Sequence, residues 1–166
     1  VFVDGENLAM RYAAQLDKNR PVSHVSFELD VYVWSTLLNL PHLRGRIEIL
    51  RKYCYTSCRG DENKIADVSA ALKQLDIEAP RVFKRSRESR SKRVDVTLTV
   101  EALQHSFAGN CNSVVLVTGD EDYVPLVEAI QMTGRRGFLW AVTSGLSQKL
   151  MMSADHFLDR KSTRLN

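Results

Sequence analysis

The chain has 166 residues, 44% hydrophobic and 26% charged, with a formal net charge of +3 at pH 7. That length fits one domain with a sizeable core, and the composition is ordinary for a globular fold. No apolar run approaches the ~20 residues that span a bilayer, and no basic-then-apolar signal segment precedes the first predicted strand, so a membrane partner is not expected. The three cysteines, Cys54, Cys58 and Cys111, are too few and too scattered for a disulfide framework. They fit a reducing, intracellular compartment, with the cytoplasm as the expected location. Cys54 and Cys58 lack the second pair or the histidines that a zinc site needs. Because the chain opens at Val1 directly on a predicted strand, its natural N-terminus is expected to lie further upstream.

The charge is unevenly placed. Arg81 to Arg93, "RVFKRSRESRSKR", holds seven Lys or Arg and one Glu, a local +6, so the other residues together carry −3. Such concentration points to a polyanion contact at one place on the surface.

In chain order, Val1–Val3 reads as a short buried strand. A helix follows from about Asn7 to Gln15, then a loop around Pro21. "FELDVYVWSTLLNL" carries Val31, Trp34 and Leu38 at three- and four-residue spacing, which predicts a helix ending at Pro41. "RIEILRKYCY" alternates through Ile47 and Ile49 and predicts a strand. "DENKIADVSAALKQLD" places Ile65, Val68, Leu72 and Leu75 on one helical face behind an Asp61 cap. "PRVFK" is a short strand that leads into the basic segment. "VDVTLTVEALQHSF" fits two patterns: Val94, Val96, Leu98 and Val100 alternate, while Val96, Val100, Leu103 and Phe107 recur with helical spacing. Its length and the strand after it favour a helix. "SVVLVTGD" is a strand closed by a Gly turn, "YVPLVEAIQMT" a helix with Pro125 in its first turn, "RGFLWAVT" a strand, "SQKLMMSA" a helix and "HFLD" a last strand. Residues 1–160 are read as one domain and 161–166 as a tail. Met151 and Met152, with Leu146 and Leu150, are read as core or as the face of a homo-oligomer.

Strands and helices in alternation, with near-continuous apolar strands, predict an α/β domain with a parallel sheet covered on both faces. In such folds ligands bind beyond the carboxyl ends of the strands. Asp4 follows one strand, and Asp120 and Asp122 follow another. One of that pair, Asp122, is expected to cap the helix at Tyr123; a cap does not account for both. Carboxylates gathered at one crevice repel each other unless a cation joins them, and oxygen ligands suit Mg²⁺ or Mn²⁺. Asp95 opens its predicted helix. Thr99, about 400° further round, lies on nearly the same face, and Glu101 points away.

Four segments, "VDGENL", "KRVDVTLTVEAL", "VVLVTGDEDYVPLVEAIQMTGRRGF" and "SQKLMMSADHFLD", resemble NYN domains in order and spacing, within the LabA-like branch of the PIN-like nucleases. The resemblance implies a three-layer α/β/α sandwich with a central, mainly parallel sheet, and a metal-dependent ribonuclease. Its acidic site maps onto Asp4, Asp95, Asp120 and Asp122, with Asn7 beside them as a catalytic position. Thr118 takes the place of the family's small hydroxyl residue, and Tyr123 stands where Phe is common. Mg²⁺ or Mn²⁺ held by the four aspartates would activate water for in-line attack on a phosphodiester and stabilise charge on the phosphorus oxygens. Asn7 would orient a phosphate or water, or cap the first helix. Thr118 and Thr99 would face the substrate.

The substrate class implied is RNA, expected to be single-stranded, with Arg85, Arg87, Arg90, Lys92 and Arg93 on its backbone. Base stacking would fall to Tyr12 or Tyr123, although core packing is the stronger expectation for both. Two other readings compete. One is a module of the same fold that binds RNA or protein without cutting. The other is an Asp-nucleophile phosphotransferase, which "TGDED" and the missing partner lysine argue against.

Overall fold

The computed structural model describes residues 1–16, 24–35, 48–85, 92–141 and 146–159. The elements in order are β1 (Phe2–Asp4), α1 (Gly5–Leu16), β2 (Val25–Glu28), β3 (Tyr32–Ser35), β4 (Tyr53–Cys58), α2 (Glu62–Gln74), β5 (Ala79–Lys84), α3 (Lys92–Phe107), β6 (Ser113–Val117), α4 (Val124–Met132), β7 (Arg136–Ala141), α5 (Gln148–Ser153) and β8 (His156–Asp159). Six strands form a sheet in the order β5-β4-β1-β6-β7-β8, and every pair in it is parallel. This is the α/β architecture with a parallel sheet that the strand–helix alternation predicts.

The sheet is covered on both faces, and strand residues alternate between them. Val3, Cys54, Val115, Val117 and Trp140 pack with Leu8 and Tyr12 of α1 and Val68 and Leu72 of α2. Phe2, Tyr53, Tyr55, Val114, Leu116 and Leu139 pack with Val94, Leu98 and Ala102 of α3, Leu126, Val127 and Ile130 of α4, and Leu150 of α5. Each fully buried leucine in these layers contributes about 1.5–3 kcal/mol. Asp61 caps α2 as expected, accepting from the Lys64 amide at 3.0 Å. Pro125 sits in the first turn of α4, where its missing N–H is harmless.

The predicted helix around Val31 and Trp34 is a correction. Residues 25–35 form an antiparallel hairpin, β2 with β3, that pairs Phe27 with Val33 and Glu28 with Tyr32. The Val31 amide donates to the Glu28 carbonyl at 3.0 Å, and Asp30 adopts a left-handed φ of 58° to close the turn. Short polar side chains tolerate that conformation best. All four residues of β3 are buried, so the strand shows no polar alternation, and an apolar run covered on both sides resembles a helix by spacing alone. Leu38 and Pro41 lie outside the described residues, as does the loop around Pro21.

One further expectation needs adjusting, and another gains detail. The strand predicted from "RIEILRKYCY" begins only at Tyr53 and continues to Cys58; Glu48 to Lys52 lead into it, with the Arg51 and Lys52 carbonyls accepting from Val1 and Ala79, and Ile47 lies outside the described residues. The α3 segment is a helix, and its buried face is Val94, Leu98, Ala102 and Ser106. Val96, Val100 and Phe107 face outward, 61%, 46% and 74% exposed. Both stripes are apolar, so periodicity identifies the helix and not its orientation.

In a parallel sheet every helix returns the chain to the same starting edge. The starts of α1, α3 and α4 therefore gather at the carboxyl edge of the strands. The turns that leave α3 and α4, through Gly109 (φ 71°) and Gly134 (φ 77°), lie at the opposite edge.

Candidate active site

The strand order reverses at β1. The chain moves from β1 to β4 and β5 on one side, then crosses to β6 on the other. That switch leaves a crevice between the carboxyl ends of β1 and β6. Asp4 ends β1, and Thr118, Gly119 and Asp120 follow β6 directly.

Asp4 is 2% exposed. Its Oδ1 accepts from the Asn7 amide at 3.0 Å, and its Oδ2 from the Thr118 hydroxyl at 3.3 Å. The first bond makes Asp4 the N-cap of α1, so it is a capping residue and a site residue together. Burial raises its carboxyl pKa from 3.8 to about 7. The Asn7 hydrogen bond acts against the rise, and the charges of Asp95, Glu6 and Asp120 add to it.

Asn7, 6% exposed, links the two strands' ends. Its Oδ1 accepts from the Gly119 amide at 3.1 Å, and its Nδ2 lies 3.5 Å from Asp120 Oδ2. The Asp120 amide in turn donates to Thr118 Oγ1 at 3.3 Å. Thr118 is 1% exposed, and its hydroxyl bridges Asp4 to the turn.

The predicted Asp122 cap is corrected. A 3-10 turn, Glu121–Tyr123, precedes α4, so the cap moves two residues upstream: Asp120 Oδ1 accepts from the Asp122 amide at 3.2 Å. Asp122 itself is exposed, and its amide rather than its carboxylate takes part in the turn.

Asp95 lies in the first turn of α3, and Thr99, half-buried, follows one turn later. The link from Asp95 to the rest is Tyr123, whose hydroxyl donates to Asp95 Oδ1 at 3.1 Å. Tyr123 is 3% exposed and Tyr12 8%, so neither ring is available to stack on a base, and both pack in the core as expected. Burial pushes the Tyr123 hydroxyl pKa far up, and the charges and hydrogen bonds of Asp4 and Asp95 push it the same way. Tyr123→Phe is expected to keep the fold while lowering stability by about 1 kcal/mol, the net value of one hydrogen bond; urea denaturation checks it.

Two residues join the site that the sequence reading did not assign, and a third, Glu6, turns away from it. Arg11 reaches it from α1: its Nε donates to Asn7 Oδ1 and its Nη2 to the Gly119 carbonyl, both at 2.8 Å. Burial lowers the guanidinium pKa, and the charges of Asp120 and Asp4 oppose that. The signal in the sequence was the four-residue spacing from Asn7 to Arg11 on one helix face. Tyr123 was expected chiefly as packing, and its hydroxyl also holds Asp95. Glu6 points toward the end of β4, where it accepts from the Ser57 hydroxyl and forms an ion pair with Arg85 Nη2 at 3.4 Å.

The basic segment is partly spent inside the protein. Arg85 is 13% exposed in its side chain. Its Nε donates to Ser57 Oγ at 2.8 Å, and its Nη2 to the carbonyls of Ser57, at 2.9 Å, and Asp30. Arg81 pairs with Glu101 at 3.0 Å, and Glu101 also accepts from the Tyr55 hydroxyl at 2.7 Å. Arg93 lies 5.0 Å from the centre of the Phe83 ring. Lys92 and Arg93 are exposed at the start of α3, beside Asp95. Arg87 and Arg90 lie outside the described residues.

Among the described residues, no three His, Cys, Asp or Glu side chains converge as a ready-made metal cage. The donor chemistry still fits a hard divalent cation. Asp4, Asp95 and Asp120 offer only oxygen and sit at three helix starts, and the charges of Asp95 and Asp120 both act on Asp4. Mg²⁺ retains several waters and is commonly held by one or two carboxylates, so it does not need such a cage.

A solved structure of a protein of unknown function from Vibrio parahaemolyticus has the same fold. It aligns with a TM-score of 0.68 over 96% of this chain and 90% of its own, at 21% sequence identity. No curated protein matches this chain in sequence. The NYN domain family matches over residues 1–163. With that match and with its parallel sheet and switch-point crevice, the chain belongs to the NYN domain family, within the PIN-like nuclease superfamily.

Proposed function

We propose that this chain is a metal-dependent ribonuclease that hydrolyses RNA phosphodiester bonds at the crevice between β1 and β6. The observation that carries the reading is the meeting of Asp4 and Asp120 on one edge of the sheet. They come from distant parts of the sequence and are joined through a single residue, Asn7. Had these carboxyl groups fallen at opposite edges, the reading would fail.

Asp4, Asp95 and Asp120 would hold Mg²⁺ or Mn²⁺, with Asp122 in the turn that follows Asp120. The ion supplies charge neutralisation for the phosphoryl oxygens and a water of lowered pKa. The protein's own part is positioning. Asn7 and Thr118 fix the Thr118–Asp120 turn against Asp4, and Tyr123 fixes Asp95. Lys92 and Arg93, with Arg87 and Arg90, would hold the RNA backbone beside Asp95. Arg85 would anchor the base of that segment through Glu6, and Thr99 would line the substrate side of α3.

The test is cleavage of a single-stranded RNA oligonucleotide. Cleavage is expected with Mn²⁺ or Mg²⁺, none in excess EDTA, and a loss of at least about 100-fold in Asp95→Asn or Asp120→Asn. The lack of three converging acidic side chains among the described residues favours a second reading, a non-cleaving module that binds RNA or a protein. RNA binding that survives EDTA, with no cleavage under any divalent ion, would establish that one instead.

A further inference from the structure

The two helix layers differ in what they show to water. Among the described residues eight large hydrophobic side chains are exposed, and six of them lie on α3, α4 and α5: Val96, Val100, Phe107, Met132, Met151 and Met152. The other two, Leu29 and Leu50, stand apart on the β2–β3 turn and before β4, and α1 and α2 carry none. The three helices cover one face of the sheet together, so the six side chains belong to one layer. Apolar exposure gathered in this way marks an interaction surface.

Its spine is α3. Val96, Val100, Leu103 and Phe107 follow one another at four, three and four residues, the heptad spacing by which one helix seats against another. At about 100° per residue they fall within an arc of about 60°, away from the buried stripe of Val94, Leu98 and Ala102. The neighbours of the seam in its central turns, Thr97, Thr99 and Gln104, are uncharged, and Glu101 is turned aside to Arg81 and the Tyr55 hydroxyl. An identical seam therefore meets no like charge along its middle. Set antiparallel, the basic first turns with Lys92 and Arg93 fall at opposite ends, each beside the carbonyl end of the other helix, which favours a cation; set parallel, they would repel. The antiparallel register also places each Phe107 against a Val96 and each Leu103 against a Val100. Together with α4 and α5 at 8–10 Å spacing, a helix about 24 Å long offers on the order of 500–700 Å², close to the ~800 Å² per partner of a stable interface.

We propose that a second copy of this chain covers this face, as a two-fold dimer with α3 packed antiparallel on α3. Because α3 starts at the carboxyl edge of the sheet, the antiparallel seam turns the two crevices toward opposite ends of the dimer. The proposal does not depend on the chemistry of the crevice.

Sedimentation velocity between about 1 and 100 μM tests it. The wild type is expected to reach a dimer and no larger species, since a two-fold interface closes on itself. Val100→Glu sets two like charges close to the axis and is expected to raise the dimer dissociation constant at least about 100-fold. Leu29→Glu, an exposed position off this layer, is expected to dimerise as the wild type does. Should Val100→Glu lose its helical circular dichroism, Phe107→Gln at the exposed end of α3 carries the test, with a rise of at least about tenfold. A wild type still monomeric at about 100 μM would overturn the proposal and leave this face to a different protein. Species that keep growing with concentration would overturn it as well. So would a folded Val100→Glu with an unchanged dissociation constant, or an equal loss in Leu29→Glu.

Discussion

Asp4→Asn is expected to abolish RNA cleavage and, in metal-free buffer at pH 8, to make the protein more stable by about 2–4 kcal/mol. The two effects share one cause. The Asp4 carboxyl has a folded pKa of about 7 against an ordinary 3.8, so the folded chain binds its proton more tightly than the unfolded chain does. Its contribution is fully favourable below about pH 4 and is lost as the pH rises to about 7; above that the fold carries a buried charge. Asparagine removes the charge and leaves an oxygen to accept from the Asn7 amide at the start of α1. Urea denaturation in EDTA at pH 5 and pH 8 checks this, because the gain should shrink markedly at pH 5, where wild-type Asp4 is protonated. Equal gains at both values would mean that Asp4 does not titrate in this way. A divalent ion should recover much of the wild-type deficit at pH 8, since it stabilises the charged form.

Gly119→Ala is expected to lower kcat about 100-fold while leaving the Michaelis constant for RNA within about threefold. The new Cβ would lie 2.9 Å from Arg11 Cζ, so the guanidinium must move. That movement disturbs the hydrogen bonds from Arg11 to Asn7 and to the Gly119 carbonyl. Asn7 is the residue that holds Asp4 and Asp120 in register, and a shift of about 1 Å at reacting groups is enough for a hundredfold loss. The stability penalty should stay near 1–2 kcal/mol, because a side-chain terminus yields more readily than backbone. Steady-state kinetics and a melting curve separate the two effects. A variant with wild-type kcat would show that cleavage does not depend on the register Asn7 imposes.

What the sequence conveyed about this site depended on distance along the chain. The strand ends bearing Asp4 and Asp120 were legible because an apolar run followed by Asp or by Gly-Asp has few other meanings. The helix of Asp95 was legible from its length. The contacts among these segments were not. Arg11 lies four residues from Asn7, but the Gly119 carbonyl it meets is 108 residues away, and nothing local marks that pairing. The same limit explains why β3 read as a helix and why the buried face of α3 stayed open. β3 is buried on both faces and so lacks the alternation that marks a strand. On α3, the buried stripe of Val94 and Leu98 and the outward stripe of Val96 and Val100 are equally apolar. The position of the cap followed a short 3-10 turn, and propensity does not distinguish such a turn from the first turn of an α-helix.

The parallel sheet also separates the molecule into a working edge and a building edge. Gly134 lies at the second, between α4 and β7; a Cβ there would meet nothing within 4 Å, but its φ of 77° strains any other residue, so an attachment belongs on the turn's exposed neighbours. Gly109 marks the neighbouring turn, between α3 and β6. For anyone who wants to tether, label or immobilise this domain, these two turns are the natural attachment points. A fluorophore or a fused domain placed there would stand a full strand length away from the carboxylates and leave the crevice open to its substrate.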